Sequence, residues 1–419
     1  MAQAEKTIYV YENWRAAAPS LVGILRASFV RGIESFSFEY TPEWLSSFES
    51  AYPLDPDLSL YKGRQYAPLD KKLFGLFADS CPDRWGRLLM TRKEAIEARK
   101  EDRKPRKLTD SDFLLGVYDE SRMGALRFSL EEGGEFVSNE KVYATPPWIN
   151  LRTLENASIA FENDDSGLDE RWLKELLAPG SSLGGARPKA TVQATDGSLW
   201  IAKFPSKHDE SNTGAWEKVV HELARRCTLD APESKLETFS KNGSTFLVKR
   251  FDRDGKRRIH FASAMTLLGK TDGASGADGT SYLDIAAFIR ANGAEPKRDL
   301  KELWKRIVFN MAVSNTDDHL RNHGFLLTPS GWKLSPLFDV NPIPSGDRLS
   351  LNVTELDNSI DLDLAMEVSE YFGLTKAEAE KAASDIVTTV QESWERVADR
   401  FGLSRGAVEY MRPAFSLKL

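Results

Sequence analysis

Asn315-Thr-Asp-Asp-His-Leu-Arg-Asn-His-Gly-Phe325 sets a carboxylate, Asp317, five positions ahead of an amide, Asn322. Loops are rich in both residue types for turn reasons, because their short side chains bond to nearby backbone. The spacing gains meaning from its surroundings. Asp339 follows in the apolar-flanked run Leu334-Ser-Pro-Leu-Phe-Asp-Val-Asn341. Asn322 and Asp339 are hard oxygen donors suited to magnesium, an ion that keeps its waters and takes few protein ligands. Just upstream, Leu303, Ile307, Val308 and Met311 form a helical stripe leading straight into the loop.

Further toward the N-terminus lie a glycine-containing loop, Ser182-Leu-Gly-Gly-Ala186, and a strand-like Leu199-Trp-Ile-Ala-Lys203. Lys203 stands nineteen residues after Gly184, where it could reach the α/β-phosphates of a nucleotide. Between strands expected at 198–204 and 245–251, Trp216, Val219, Val220, Leu223, Ala224 and Cys227 mark an amphipathic helix. Glu217 on that helix could ion-pair with Lys203, and Glu222 is its rival. Residues 246–251 would supply the strand and hinge that meet an adenine, which points to Val248, Lys249 and Phe251. In this order the elements match an ATP-dependent phosphotransferase, where an Asp takes the substrate hydroxyl proton and an Asn holds magnesium. Asp317 is then the catalytic group. His319 either contacts phosphate or braces the loop, while Asp318 and Arg321 solvate or brace.

A length of 419 residues suggests about two or three domains. Hydrophobic content of 41% with 28% charged residues describes a globular chain, and a net charge of −7 argues against a broad nucleic-acid surface. Cys81 and Cys227 are too few and too far apart for a structural zinc site, and such sparse cysteine use fits a reducing cytoplasm. No signal-type segment or membrane-length apolar run is read, so a cytoplasmic location without membrane association is expected. Residues 7–11 and 35–40 read as strands, Leu73–Asp79 as helix-like, and 111–128 as a helix followed by a strand. The charged run Arg99–Lys107, broken by Pro105, reads as a solvated loop, with a phosphate or acidic partner as the alternative. The Gly- and Asp-rich stretch 269–280 reads as a mobile loop, since it lacks the Lys-Ser/Thr ending of a phosphate clamp. Thr375 and Glu378 form a capping box at the start of a long helix.

Seven strings together resemble the HipA family of toxin-type serine/threonine kinases. They are Asp83-Arg-Trp-Gly-Arg-Leu-Leu, Gly124-Ala-Leu, Ser182-Leu-Gly-Gly-Ala-Arg-Pro-Lys, Ile201-Ala-Lys-Phe-Pro, Val248-Lys-Arg-Phe-Asp-Arg, Asn315-Thr-Asp-Asp-His-Leu-Arg-Asn and Leu334-Ser-Pro-Leu-Phe-Asp-Val. The resemblance implies an α+β, two-lobed, protein-kinase-like fold. An N-terminal β-rich subdomain (1–130) would precede a nucleotide-binding lobe (131–254) and a mostly α-helical lobe (255–419). It implies ATP and Mg2+ as cofactors, and a HipB-like helix-turn-helix antitoxin through which alone DNA is met. The substrate would be a cellular protein, such as an aminoacyl-tRNA synthetase, whose phosphorylation arrests growth.

Carried over by position, the resemblance makes Asp317 catalytic and Asn322 and Asp339 metal ligands. Lys203 and His319 become nucleotide-side residues, Glu217 the helix glutamate, and Ser182, Leu183, Gly184 and Gly185 the phosphate loop. Ser182 would be phosphorylated by the chain itself, with Ser181 as the alternative. Arg187-Pro188-Lys189 departs from the more polar family pattern and bears on how that loop moves. A small-molecule or lipid kinase of the same fold and a catalytically silent antitoxin-binding protein are the competing readings. A metal-dependent phosphohydrolase built on Asp317, Asp318 and His319 is a further one.

Overall fold

The structure is a computed structural model that describes residues 5–16, 18–30, 32–47, 52–139, 145–163, 176, 185 and 187–417. The chain divides into two compact units, the first made of residues 1–207 with 249–262 and the second of 208–248 with 263–419. Both mix helix and strand, in keeping with the α+β class. Among the described residues, no helix is long and apolar enough to cross a membrane.

The first unit opens with an antiparallel sheet of β1 (Lys6–Glu12), β2 (Ser20–Val30), β3 (Ile33–Tyr40), β4 (Gln65–Tyr66) and β5 (Leu126–Ser129), ordered β4-β3-β2-β1-β5. The aromatics that alternate along β3 face one way, as period-two geometry requires. Phe38 meets Phe77 at 5.3 Å, and Phe77 meets Phe128 at 6.3 Å, measured between ring centroids. Helix α1 (Arg84–Lys100) buries Trp85, Leu89 and Ile96 against Ala157 and Phe161 of helix α3 (Leu151–Asn163). Between them lies the short α2 (Asp110–Gly116), closed by a Thr109–Asp112 capping box. The charged run after α1 turns back on the protein. Arg103 and the backbone N–H of Arg106 both bond to the buried Glu94, and the Arg106 guanidinium pairs with Asp112 at 2.6 Å.

A hairpin of β6 (Lys189–Gln193) and β7 (Leu199–Lys203) sets Lys189 opposite Lys203. The returning segment 249–262 is stitched to residues 121–124 by charge-assisted bonds. Asp252 accepts a bidentate pair from Arg250 at 2.9 and 2.7 Å, one bond from Arg253 at 2.6 Å, and the Gly124 N–H at 2.8 Å. Arg250 also donates to the Ser121 carbonyl at 2.6 Å. Two of the strings quoted above, far apart in sequence, are thus one buried network.

In the second unit, helix α4 (Thr213–Arg226) precedes a hairpin of β8 (Ser234–Ser240) and β9 (Gly243–Lys249). The helix stripe expected from Trp216 to Ala224 is buried. Gly214 allows the close approach of α4 to β9, because a Cβ there would stand 2.0 Å from the Ser244 carbonyl oxygen. Gly214→Ala is therefore expected to lower stability by about 1–3 kcal/mol through overpacking against backbone that cannot yield. A urea-denaturation midpoint equal to wild type would contradict this.

Next come α5 (Tyr282–Asn292), α6 (Pro296–Ala312), a hairpin of β10 (Gly324–Thr328) and β11 (Gly331–Leu334), and the long α7 (Lys376–Arg400). The Thr375–Glu378 capping box is present at the start of α7, and Glu378 also pairs with Lys301 of α6 at 2.8 Å. Phe415 stacks on Trp394 of α7 at 4.5 Å and lies 6.1 Å from Trp216 of α4. The stretch 269–280 is held at two interior points. Arg321 pairs with Asp272 at 2.9 Å, and the Gly276 N–H donates to the Ser350 carbonyl at 2.7 Å.

Candidate active site

The loop at 315–325 is built from the end of α6. Ser314 takes a left-handed φ of 46°, which turns the Asn315 N–H back to the Asn310 carbonyl at 2.8 Å. Asn310 is fully buried on the helix stripe, where its side chain has two partners. Its Oδ1 accepts from Asn315 Nδ2 at 3.0 Å, and its Nδ2 donates to Asp318 Oδ2 at 2.7 Å. Asp318 further accepts from the Tyr282 hydroxyl at 2.7 Å and from His323 Nε2 at 2.9 Å.

Burial alone would raise the Asp318 carboxyl. The His323 charge and the hydrogen bonds of His323 and Tyr282 outweigh it and hold the group below the ordinary range. A carboxylate so enclosed braces. All three donors meet Oδ2, and this bracing role inside the loop speaks against Asp318 as a metal ligand and so against the phosphohydrolase reading.

Pinning Asp318 inward leaves its neighbour Asp317 exposed. The Asp317 carbonyl accepts from the His319 N–H at 2.9 Å and from Asn322 Nδ2 at 3.0 Å, which winds the loop into a tight turn. That bond fixes the Asn322 amide with Oδ1 as its remaining lone-pair donor. Nδ1 of His319 is buried without a hydrogen-bond partner among the described residues.

Asp339 lies on a second pinned loop. Its approach is fixed where Asp299 accepts the Leu334 N–H at 2.8 Å, Arg306 donates to the Ser335 carbonyl at 2.9 Å, and the Leu337 N–H donates to the Asp230 carbonyl at 2.7 Å. Asp339 itself takes φ of 55°, a strained conformation of the kind that clusters at functional sites. The two loops meet through Asn315, whose Oδ1 accepts the Asn341 N–H at 3.2 Å, while Asn341 Nδ2 reaches Asp339 Oδ1 at 3.5 Å. Asp317, Asn322 and Asp339 are thus drawn into one hydrogen-bonded assembly. An amide and a carboxylate oxygen suit magnesium, and no group of three or more His, Cys, Asp or Glu that could hold a metal occurs among the described residues.

Position separates the two glutamates of α4. Glu222 joins Lys218, Arg226 and Arg400 in ion pairs of 3.6–3.9 Å. Glu217, five residues earlier and on another side of the helix, is buried. It is the better placed of the two for an interior role. Val248 is buried near the end of β9, while Lys249 and Phe251 are half-buried. Phe251 lies 6.1 Å from Phe261, ring to ring. Lys203 is half-buried at the end of β7, and Gly185 takes φ of 99°. Gly185, Lys203, Lys249 and Phe251 belong to the first unit, and Glu217, Val248 and the two loops to the second. Ser181, Ser182, Leu183 and Gly184 lie outside the described residues.

Asn310, Tyr282, His323, Asn315 and Asn341, which hold the loops, are not singled out by sequence reasoning. The available signal was Asn310, a polar residue on an otherwise apolar helical stripe.

The HipA-like C-terminal domain family matches residues 181–394, just over half of this chain, and the chain belongs to that family. A provisionally named kinase of Sinorhizobium fredii, Y4mE, is 32% identical over 183 residues, covering 38% of this chain and 41% of that protein. A provisionally named kinase of Haemophilus influenzae is 28% identical over 198 residues, covering 41% of this chain and 56% of its own. The matched stretches therefore span about half the length of these curated relatives. A chain of the Shewanella oneidensis MR-1 toxin–antitoxin complex of HipA, HipB and operator DNA superposes with a TM-score of 0.65. That match covers 97% of this chain and 96% of the other at 17% identity, so it speaks for the fold.

Proposed function

We propose that this chain is an ATP- and magnesium-dependent serine/threonine protein kinase, the toxin of a toxin–antitoxin pair. The observation that carries the reading is the assembly in which Asn310, Asn315 and Asp318 hold Asp317, Asn322 and Asp339 on two pinned loops. Phosphoryl transfer asks a protein mainly to position reactants and neutralise charge; rigid loops serve the first, and the metal they would hold serves the second. Bound MgATP supplies the phosphoryl group and the counter-charge. Asp317, exposed beside the buried Asp318, orients the acceptor hydroxyl and takes its proton. Asn322 Oδ1 and the Asp339 carboxylate hold the metal. By the family resemblance Lys203 would serve the α/β-phosphates, Glu217 would be the helix glutamate, Val248, Lys249 and Phe251 would serve the adenine side, and His319 would be a nucleotide-side residue.

The fold shared with a HipA from a HipA–HipB–DNA complex supports a HipB-like antitoxin as partner, with DNA met through it. The acceptor is a cellular protein, and one serine of the phosphate loop, Ser182 or Ser181, is a self-modification site.

Magnesium-ATP should raise the melting temperature, since a ligand at a hundredfold excess over Kd stabilises the native state by about 2.7 kcal/mol. Lys203→Ala and Asp339→Ala should each shrink that shift by removing phosphate and metal contacts. Wild-type protein whose melting point ignores millimolar MgATP would overturn the kinase reading.

A further inference from the structure

Asp83 and Lys189 are 106 positions apart, yet Lys189 Nζ donates to Asp83 Oδ2 at 2.7 Å. Both side chains are buried, at 3% and 2% exposure. Breaking such a pair leaves an uncompensated interior charge, so the two are committed to each other. The other Asp83 oxygen accepts the Gly86 N–H at 2.8 Å and caps α1. The carboxylate is therefore fixed by a helix end before Lys189 arrives.

Lys189 opens β6 directly opposite Lys203 of β7. Opposed residues of an antiparallel pair send their side chains to the same face, and like charges so placed repel. Asp83 neutralises one of these two ammonium groups. The same Lys189 Nζ lies 3.5 Å from the Gly185 carbonyl, and a Cβ on Gly185 would stand 3.2 Å from it. One ammonium thus sits between the capped start of α1 and the last glycine of the 182–185 loop.

We propose that Asp83 and Lys189 are positioning residues that fix the Gly185 end of the phosphate loop and so set affinity for the nucleotide's phosphates. The inference rests on reading 182–185 as the nucleotide loop. Anchoring a loop beforehand removes part of the ordering cost that binding would otherwise carry. Asp83 acts through Lys189, without itself meeting the nucleotide.

The test is titration calorimetry of the full chain with MgATP and, separately, with adenosine. Adenosine lacks phosphates and reports on the adenine side and on folding. Asp83→Asn removes one negative charge and leaves the Lys189 ammonium unneutralised, so electrostatics alone would tighten ATP binding. Loss of positioning predicts the opposite sign: about tenfold weaker ATP binding or more, with adenosine binding unchanged. The doubly neutral Asp83→Asn/Lys189→Met keeps the net charge, removes both buried ions together, and should show the same selective loss. It decides the matter if the single variant proves insoluble. ATP affinity that is unchanged or tighter, or an equal fall for ATP and adenosine, overturns the proposal while leaving the kinase reading intact. Wild-type protein that binds neither ligand overturns both.

Discussion

Asp317→Asn is expected to lower phosphoryl transfer by about 10²–10⁴-fold, the range for losing a general base, while MgATP binding survives. The substitution keeps the side chain's shape and leaves the loop's frame untouched. That frame depends on the Asp317 carbonyl, which accepts from His319 and Asn322, and on the neighbouring Asp318. Only the carboxylate that orients the acceptor hydroxyl disappears. Transfer to protein acceptors can be followed with radiolabelled ATP, and binding by the thermal shift. In cells, wild-type expression without a partner should arrest growth and the variant should not. Transfer at a near wild-type rate would make Asp317 a structural loop residue.

Asp252→Ala carries the largest expected cost in stability, about 3–5 kcal/mol, because it strands two buried guanidinium groups. Arg250 and Arg253 lose the carboxylate they share, and the Gly124 N–H loses its acceptor. The pH dependence has a definite sign. Burial raises the Asp252 carboxyl, but the Arg250 and Arg253 charges outweigh it and hold the group at about 2, against roughly 3.9 in an unfolded chain. Its contribution is complete above the unfolded value and fades as pH falls toward the folded one. Acid titration of stability below about pH 4 should therefore be shallower in Asp252→Asn than in wild type. Parallel acid profiles for the two proteins would rule out this role.

Local signals carried the sequence a long way. Helix α4 is legible because its apolar residues keep one stripe, and the start of α7 because its capping box is a purely local exchange of bonds. The aromatic alternation of β3 likewise survives into the structure. Other elements hide. Leu73–Asp79 reads as helix but gives only the single turn Gly75–Ala78. Helix α1 goes unread because Arg, Lys and Glu crowd its sequence, and buried Glu94 spoils the stripe. Strand β2 is set by pairing with neighbours on both sides, which no short window contains.

The site divides in the same way. Asp317, Asn322 and Asp339 are legible from spacing and type. Asp318 reads as a residue that solvates or braces; it braces, through a buried partner, Tyr282, 36 positions away that no local pattern reports. The partnership of Lys189 with Asp83 depends on chain folding that no local pattern reports.

Both compact units are discontinuous along the chain, and this fixes an order of completion during synthesis. A ribosome adds about 5–20 residues per second, and early segments begin folding while later ones are still being made. The first unit cannot close around Asp252 until residues 249–262 have emerged. The second cannot finish until Phe415 is available to Trp394 and Trp216. An interrupted nascent chain therefore carries the 315–325 loop without the packing that completes its unit. For a protein with the toxic activity proposed here, fragments released by stalled translation would be inert.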